Sequence, residues 1–164
     1  MTLYGTEVAR NDAGVAARNG RVVIQPSGNG NSTIHDNRAS GIGGGASQFY
    51  LSSAHVTGNA YEGLGVADGS AAGLDNVTIE DNGGSGLVVR NGSAVAVGGT
   101  GSIRGGPDNP GIRLEDTSTA SVAGSYSIVG SPYGISCPDP RGASVAQLTW
   151  PVANTTTNCP VSGQ

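Results

Sequence analysis

The sequence contains no lysine, so its positive charge comes from eight arginines alone. Twelve acidic residues outnumber them and leave a net charge of −4. An acidic chain of this kind lacks the basic patch with which proteins bind phosphate backbones, which argues against nucleic acid as a partner. Long apolar runs are missing as well. No stretch reaches the roughly 18 residues of a membrane-spanning helix, so no membrane span is predicted.

Aromatic residues are also scarce, at 4% of the chain. The core must therefore be built from small aliphatic side chains. No apolar stripe with the 3.6-residue period of an α-helix is long enough to form one, whereas glycine accounts for 29 of the 164 residues. These features argue against a helical solenoid.

What the sequence has instead is a glycine–aliphatic pair that recurs at intervals of 22 to 27 residues. A fixed period in this range is typical of a solenoid in which each repeat packs on its neighbours. Small or aliphatic residues also stand two positions beyond each pair, and this alternation predicts a short strand with one buried face. The six pairs are Gly14-Val15, Gly41-Ile42, Gly63-Leu64, Gly86-Leu87, Gly111-Ile112 and Gly134-Ile135.

Each repeat carries two further short strands, and an Asn-Gly or Asp-Gly bend follows the first strand in several copies. After the third strand, Asn37, Asn59 and Asn82 each fall four residues before the next repeated glycine. Their spacing matches the repeat, which predicts a ladder of asparagine side chains hydrogen-bonded from coil to coil. Three strands and three bends per coil describe a parallel β-helix.

The runs from Asn37 to Ile42, from Asn59 to Leu64 and from Asn82 to Leu87 resemble those of the right-handed parallel β-helix superfamily, which has the pectate-lyase-like fold. The resemblance covers roughly residues 14–150 and matches no specific enzyme family. It implies an all-β solenoid of about six coils with three short parallel sheets. We expect residues 1–150 to form this β-helix, with 1–13 as an incomplete first coil, and residues 151–164 to form a tail that caps the C-terminal end.

The two cysteines are Cys137, at an inward strand position, and Cys159, in the tail. A disulfide between them would close a loop of about 20 residues and stabilise the fold by about 3 kcal/mol in the chain-entropy model. The alternative is two unrelated thiols. We predict the bridge, which would hold the tail over the end of the helix. A bridge favours an oxidising location, such as extracellular space, the cell surface or the periplasm.

Enzymes of the resembled superfamily usually carry catalytic carboxylates and basic side chains on the sheet that follows the Asn-Gly bend. General acid–base chemistry needs such groups. No acid or base falls among the outward positions predicted for that sheet, so the catalytic residues of this chain, if it has any, are unknown. The two histidines have no third ligand at a suitable spacing, so we predict neither a metal site nor a cofactor. The outward positions hold Ala71, Gly73, Ala94, Ala96, Thr119 and Ser121.

Charged residues gather instead near the first strand and its bend, at Arg90, Arg113, Glu115 and Asp116 in particular, with Asp68 close by. One interpretation is a saccharide-binding strip in which the arginines grip a carboxylate with two hydrogen bonds. Another is a remnant catalytic pair, Glu115 and Asp116. The simplest is a solvated turn with an Arg90–Glu115 ion pair between coils.

One aromatic residue is a further binding candidate, because Tyr50, if it points outward, could stack on a sugar ring. Two functions of different classes remain open. The first is a non-catalytic extracellular or cell-surface module, a rigid scaffold that contacts a polysaccharide or a second β-helix chain. The alternative is a fragment or divergent member of a polysaccharide lyase, glycoside hydrolase or uronate epimerase.

Overall fold

The computed structural model describes residues 1–28, 30–138, 144–148 and 155–162. Within these ranges the chain forms β-strands and no helix. None of these residues belongs to a helix with the length and hydropathy of a membrane span. The short strands follow from the sequence pattern, because alternating apolar and polar residues between glycine-rich bends allow three to five extended residues at a time.

The strands of the described residues form three sheets, A, B and C. Sheet A contains β1 (Thr2–Tyr4), β4 (Arg21–Gln25), β7 (Gln48–Ser52), β10 (Ala71–Asp75), β13 (Ala94–Gly98), β16 (Thr119–Val122), β19 (Val145–Leu148) and β20 (Val161–Ser162). Sheet B contains β2 (Glu7–Ala9), β5 (Ser32–His35), β8 (Ala54–Thr57), β11 (Thr78–Glu80), β14 (Thr100–Arg104) and β17 (Ser125–Val129). Sheet C contains β3 (Val15–Arg18), β6 (Ile42–Gly45), β9 (Leu64–Ala67), β12 (Leu87–Val89), β15 (Ile112–Leu114) and β18 (Ile135–Ser136).

Each coil follows the same path, from a strand of sheet C to one of sheet A and then one of sheet B. Residues 1–13 contribute β1 to sheet A and β2 to sheet B. Neighbouring strands within a sheet run parallel and come from successive coils. The predicted all-β fold, a parallel β-helix of about six coils and three sheets, is confirmed.

The aliphatic residue after each repeated glycine lies inside the helix, directly on its counterpart in the next coil. Ile42, Leu64, Leu87 and Ile112 are fully buried, as the sequence predicts. Burying a side chain of this size stabilises the fold by about 1.5–3 kcal/mol. The stack therefore supplies much of the core that the scarce aromatic residues do not.

The repeated glycine is required because there is no room for a side chain where sheet B turns into sheet C. A Cβ on Gly41 would lie 2.6 Å from Val56 Cγ1 and 2.7 Å from Asn59 Nδ2. At Gly63 a Cβ would lie only 2.3 Å from Ile79 Cγ2. The tight bend thus explains why glycine recurs with the coil.

The asparagine ladder fills the interior of the same bend. Asn37, Asn59 and Asn82 are all buried. The Nδ2 of Asn37 donates to Asn59 Oδ1 at 2.8 Å, and the Nδ2 of Asn59 donates to Asn82 Oδ1 at 2.9 Å. Each of these Oδ1 atoms also accepts a hydrogen bond from the backbone N–H of the preceding ladder residue. The predicted ladder is confirmed, and Asn11 extends it by donating its backbone N–H to Asn37 Oδ1.

A second ladder, of buried serines, was not predicted and lies at the bend between sheets C and A. The backbone N–H of Ser47 donates to Ser70 Oγ at 2.9 Å, and that of Ser70 donates to Ser93 Oγ at 3.1 Å. Ser93 donates in the same way to Ser118 Oγ at 3.3 Å. All four serines are buried. Their spacing of 23 to 25 residues was visible in the sequence.

The predicted disulfide is present between Cys137 and Cys159, whose Cα atoms are 5.1 Å apart. Around it, the tail binds the last coil through backbone and side-chain contacts. The N–H of Ile135 donates to Thr156 O at 3.0 Å, the N–H of Cys137 donates to Asn158 Oδ1 at 2.8 Å, and β20 pairs with β19. The predicted boundary between residues 150 and 151 lies outside the described residues, so the extent of the capping tail stays a prediction.

The ladder makes Asn59→Ala destabilising. We expect the free energy of unfolding to fall by about 1–3 kcal/mol, because the Nδ2 and backbone N–H of Asn37 and the carbonyls of Ile34 and Thr57 each lose a hydrogen-bond partner. Denaturant unfolding followed by circular dichroism measures the change. Asn11→Ala is the matched control, since Asn11 is exposed at the end of the ladder and water can replace its amide. Equal effects of the two substitutions would contradict this account.

Reduction of the disulfide should loosen the C-terminal end before the rest of the helix. We expect hydrogen exchange to accelerate in residues 155–162 and in β18, while β7 and β10 keep their protection. The reason is that in a solenoid each coil is stabilised only by its neighbours. Exchange measured by mass spectrometry with and without reductant tests this, and uniform acceleration along the chain would count against it.

Candidate functional site

The outer face of sheet A, where the resemblance places catalytic groups, carries the small side chains that the sequence predicts. Ala71, Ala94, Ala96 and Thr119 are exposed there. Tyr50 lies on the same face, is 39% exposed, and covers Gly73, since a Cβ on Gly73 would meet the Tyr50 ring at 3.4 Å. Tyr50 thus meets the condition set for stacking on a sugar, that it points outward, and its role in binding sugar stays a prediction.

A concave surface lies on a different sheet. The outer face of sheet C forms a depression of about 570 Å³ over β3, β6 and β9. Its floor consists of residues with little or no side chain, Ala16, Gly43, Gly45, Gly65 and Ala67. The depression exists because these outward positions hold glycine or alanine in adjacent coils, as the strand register shows.

Two carboxylates reach over this floor from opposite sides. Glu62 precedes β9 and Asp68 follows it, so the strand crosses the depression between them. A Cβ on Gly65 would lie 3.0 Å from Glu62 Oε1, and a Cβ on Gly45 would lie 2.6 Å from Asp68 Oδ2. Both carboxylate groups therefore overhang glycines of the floor.

Asp68 is held in this position by its neighbours. Its backbone has a φ of 57°, as the tight bend after β9 requires, and Asn91 Nδ2 donates to its Oδ1 at 2.7 Å. Asp and Asn tolerate the left-handed region better than most residues, which explains the turn pairs seen in the sequence. Asn91 lies at the equivalent bend one coil further along.

A second depression of about 400 Å³ continues the first over β12 and β15. The two share Glu62 and Arg90 among their lining residues, so they form one strip, which we name the sheet C groove. Arg113, Glu115 and Asn109 line its far end. At the near end stands Arg18, which occupies the same strand position as Arg90, four residues after the repeated glycine.

The expected ion pair between Arg90 and Glu115 is wrong. Glu115 Oε1 lies 2.6 Å from Arg113 Nη2 instead. Both residues project outward from the same strand end, two positions apart, so the pair forms within one coil. Within the part of the chain that the structure describes, Arg18, Arg90 and Glu62 form no ion pair. The Nε of Arg113 is buried without a hydrogen-bond partner.

The structure brings together most of the predicted binding residues but not all of them. Arg90, Arg113 and Glu115 line the groove, whereas Asp116 lies at the bend beyond it, where its carbonyl accepts the Gly92 N–H at 2.9 Å. Tyr50 lies on sheet A. The suggested catalytic pair of Glu115 and Asp116 is therefore split between the groove and the bend.

Sequence reasoning missed two residues of the groove. Glu62 stands directly before the repeated Gly63, a position occupied by uncharged residues in the other coils. Arg18 stands at the same strand position as Arg90. Comparing these two positions across the repeats would have identified both.

Side chains with altered pKa values lie away from the groove. The pKa of His35, on sheet B, is raised by its hydrogen bonds with Asp36 and, to a lesser degree, with Glu7. Burial raises the pKa of Tyr126, whose hydroxyl oxygen accepts the Val77 N–H inside the helix. Among the described residues there is no cluster of three or more His, Cys, Asp or Glu side chains that could hold a metal ion.

Comparisons with known proteins agree with this architecture. The family described as "Right handed beta helix region" matches residues 22–147. Among solved structures, the chain is similar to the A-module of the mannuronan C-5 epimerase AlgE4 of Azotobacter vinelandii, with a TM-score of 0.55 and 17% sequence identity. The similarity covers 100% of this chain and 56% of that one, and at this identity it is a likeness of fold. A search of curated proteins found no match.

Proposed function

Because this chain belongs to the right-handed beta helix family, we propose that it is a non-catalytic module that binds an extended polysaccharide along the sheet C groove. The observation that carries the proposal is the shape and lining of that groove. It crosses β3, β6, β9, β12 and β15, which at about 4.8 Å per strand gives a length of roughly 19 Å. A linear chain of sugars fits such a strip better than a compact small molecule does.

The lining offers what sugar hydroxyl groups need. Carboxylates accept hydrogen bonds and arginines donate them, and both kinds stand beside a floor that consists of small residues over β3, β6 and β9 and of Val88 and Arg113 further along. That floor lets a pyranose ring approach the backbone closely. The asparagine and serine ladders keep the floor rigid, so ligand binding costs the protein little conformational entropy.

The same lining is poorly suited to proton transfer. None of the described residues around the groove is a histidine, tyrosine, lysine or cysteine. Arginine does not give up its proton in proteins. Glu115 is engaged by Arg113 and Asp68 by Asn91. Glu62 alone then remains, whereas hydrolysis or elimination needs both an acid and a base.

One observation nevertheless favours a second candidate, a carbohydrate-active enzyme. Glu62 and Asp68 face each other across the floor, and paired carboxylates on either side of a sugar are the arrangement that glycoside hydrolases use. A divergent or partial lyase, hydrolase or epimerase is the corresponding function.

We place the module outside the cytoplasm, in extracellular space, at a cell surface or in the periplasm. The Cys137–Cys159 disulfide supports this location, because such bonds persist in oxidising compartments.

Filling the groove should abolish binding. Gly43→Leu projects a side chain into open space, since a Cβ there meets nothing closer than 3.9 Å, so the fold should tolerate it. We expect affinity for any polysaccharide that the native chain retains on a glycan array to fall at least about tenfold. Ala96→Leu, on the exposed face of sheet A, is the control and should bind normally. Equal binding by Gly43→Leu would show that the ligand lies elsewhere.

The two candidate functions are separated by turnover. Incubation with the polysaccharides that bind should release neither reducing ends nor an unsaturated product that absorbs in the ultraviolet, and it should leave the C-5 configuration of any uronate unchanged. Turnover that disappears in Glu62→Gln, while the variant still binds, would establish the enzyme instead.

A further inference from the structure

We infer that the sheet C groove is built for a neutral, hydroxyl-rich stretch of glycan and discriminates against a densely carboxylated one. The inference rests on the proposed function and adds the charge class of the ligand. It is carried by the balance and the position of the charged side chains along the groove.

The charges that line the groove cancel. Its described lining contains three arginines and three carboxylates. Arg113 and Glu115 neutralise each other through their ion pair. Two positive charges, those of Arg18 and Arg90, then remain, and the two negative charges of Glu62 and Asp68 balance them. A groove that selected a polyanion would be expected to carry an excess of cations, as electrostatic complementarity requires.

The carboxylates also stand where a ligand must pass. Glu62 and Asp68 overhang Gly65 and Gly45, the part of the floor with the least side chain. A sugar laid on that floor passes between them. A uronate carboxylate there would meet a like charge on either side in a partly water-excluded site, where repulsion is stronger than in bulk water. A hydroxyl group in the same place would donate a hydrogen bond to either carboxylate.

The arginines stand on either side of the strands that the carboxylates overhang, since Gly45 and Gly65 belong to β6 and β9. Arg18 belongs to β3 and Arg90 follows β12, three strands further along, which corresponds to roughly 14 Å. Each arginine can donate hydrogen bonds to hydroxyl or ring oxygens in its own part of the groove. The stretch between the two arginines is lined by the carboxylates of Glu62 and Asp68. The net charge of −4 on the whole chain opposes a polyanion as well.

The experiment compares neutral polysaccharides with polyuronates by affinity electrophoresis at low salt. The neutral set is galactomannan, glucomannan, xyloglucan and hydroxyethyl cellulose, and the charged set is polygalacturonate, polymannuronate and polyguluronate. We expect the native chain to be retarded by at least one neutral polymer and by no polyuronate. Retardation by a polyuronate stronger than by every neutral polymer would overturn the inference and leave the proposed function intact. Retardation by neither set would contradict the proposed function itself.

Two double variants locate the discrimination. Glu62→Gln with Asp68→Asn removes both overhanging charges without changing shape, and we expect its affinity for polygalacturonate to rise at least fivefold and to fall again as salt screens the arginines. Asp81→Asn with Asp108→Asn changes the net charge equally at exposed positions outside the groove lining. We expect less than a twofold change for it. An equal gain in both variants would assign the effect to overall charge and contradict the inference, as would no gain in either. Thermal unfolding of each variant confirms that it is folded.

Discussion

Parallel pairing between successive coils is the constraint on which the rest of this molecule depends. Because each strand is hydrogen-bonded in register to the strand one coil away, every residue lies on its counterpart, about 4.8 Å distant. An apolar counterpart then extends the core, as Leu64 does on Ile42. A polar counterpart inside a bend extends a ladder, as Asn59 does on Asn37. The ladder satisfies polar groups that would otherwise be buried without partners.

The same register shapes the outer surface. Gly43 lies on Gly65, and Gly45 lies on Ala67, so single missing side chains add up to a groove that crosses several coils. The neighbouring sheet A has small residues too, but there Tyr50 covers Gly73 and the face stays flat. Which sheet becomes concave is therefore decided by a few side chains at its rims, Glu62 and Asp68 above all.

The fold could be predicted from the sequence because every coil repeats the same evidence. The glycine–aliphatic pair, such as Gly63-Leu64, recurs in six copies and the ladder asparagine, such as Asn59, in three, and these repetitions make the pattern visible. The groove could not be predicted in the same way, because its charged side chains do not recur in every coil. Glu62 has no charged counterpart in other coils, and the partner of Glu115 depends on side-chain direction rather than on spacing. The serine ladder at Ser70 was periodic and could have been found. The resemblance directed attention to sheet A, whereas the groove lies on sheet C.

The disulfide makes the two ends of the described helix unequal in stability. Its last coil is tied covalently to the tail through Cys137 and Cys159, while β1, β2 and β3 at the other end each pair with a single strand. In a structure stabilised only between neighbours, a coil that carries a covalent cross-link opens less readily than a coil held by hydrogen bonds and packing alone. The Arg113 end of the sheet C groove, whose strand β15 pairs with β18 beside Cys137, should therefore keep its shape longer than the Arg18 end.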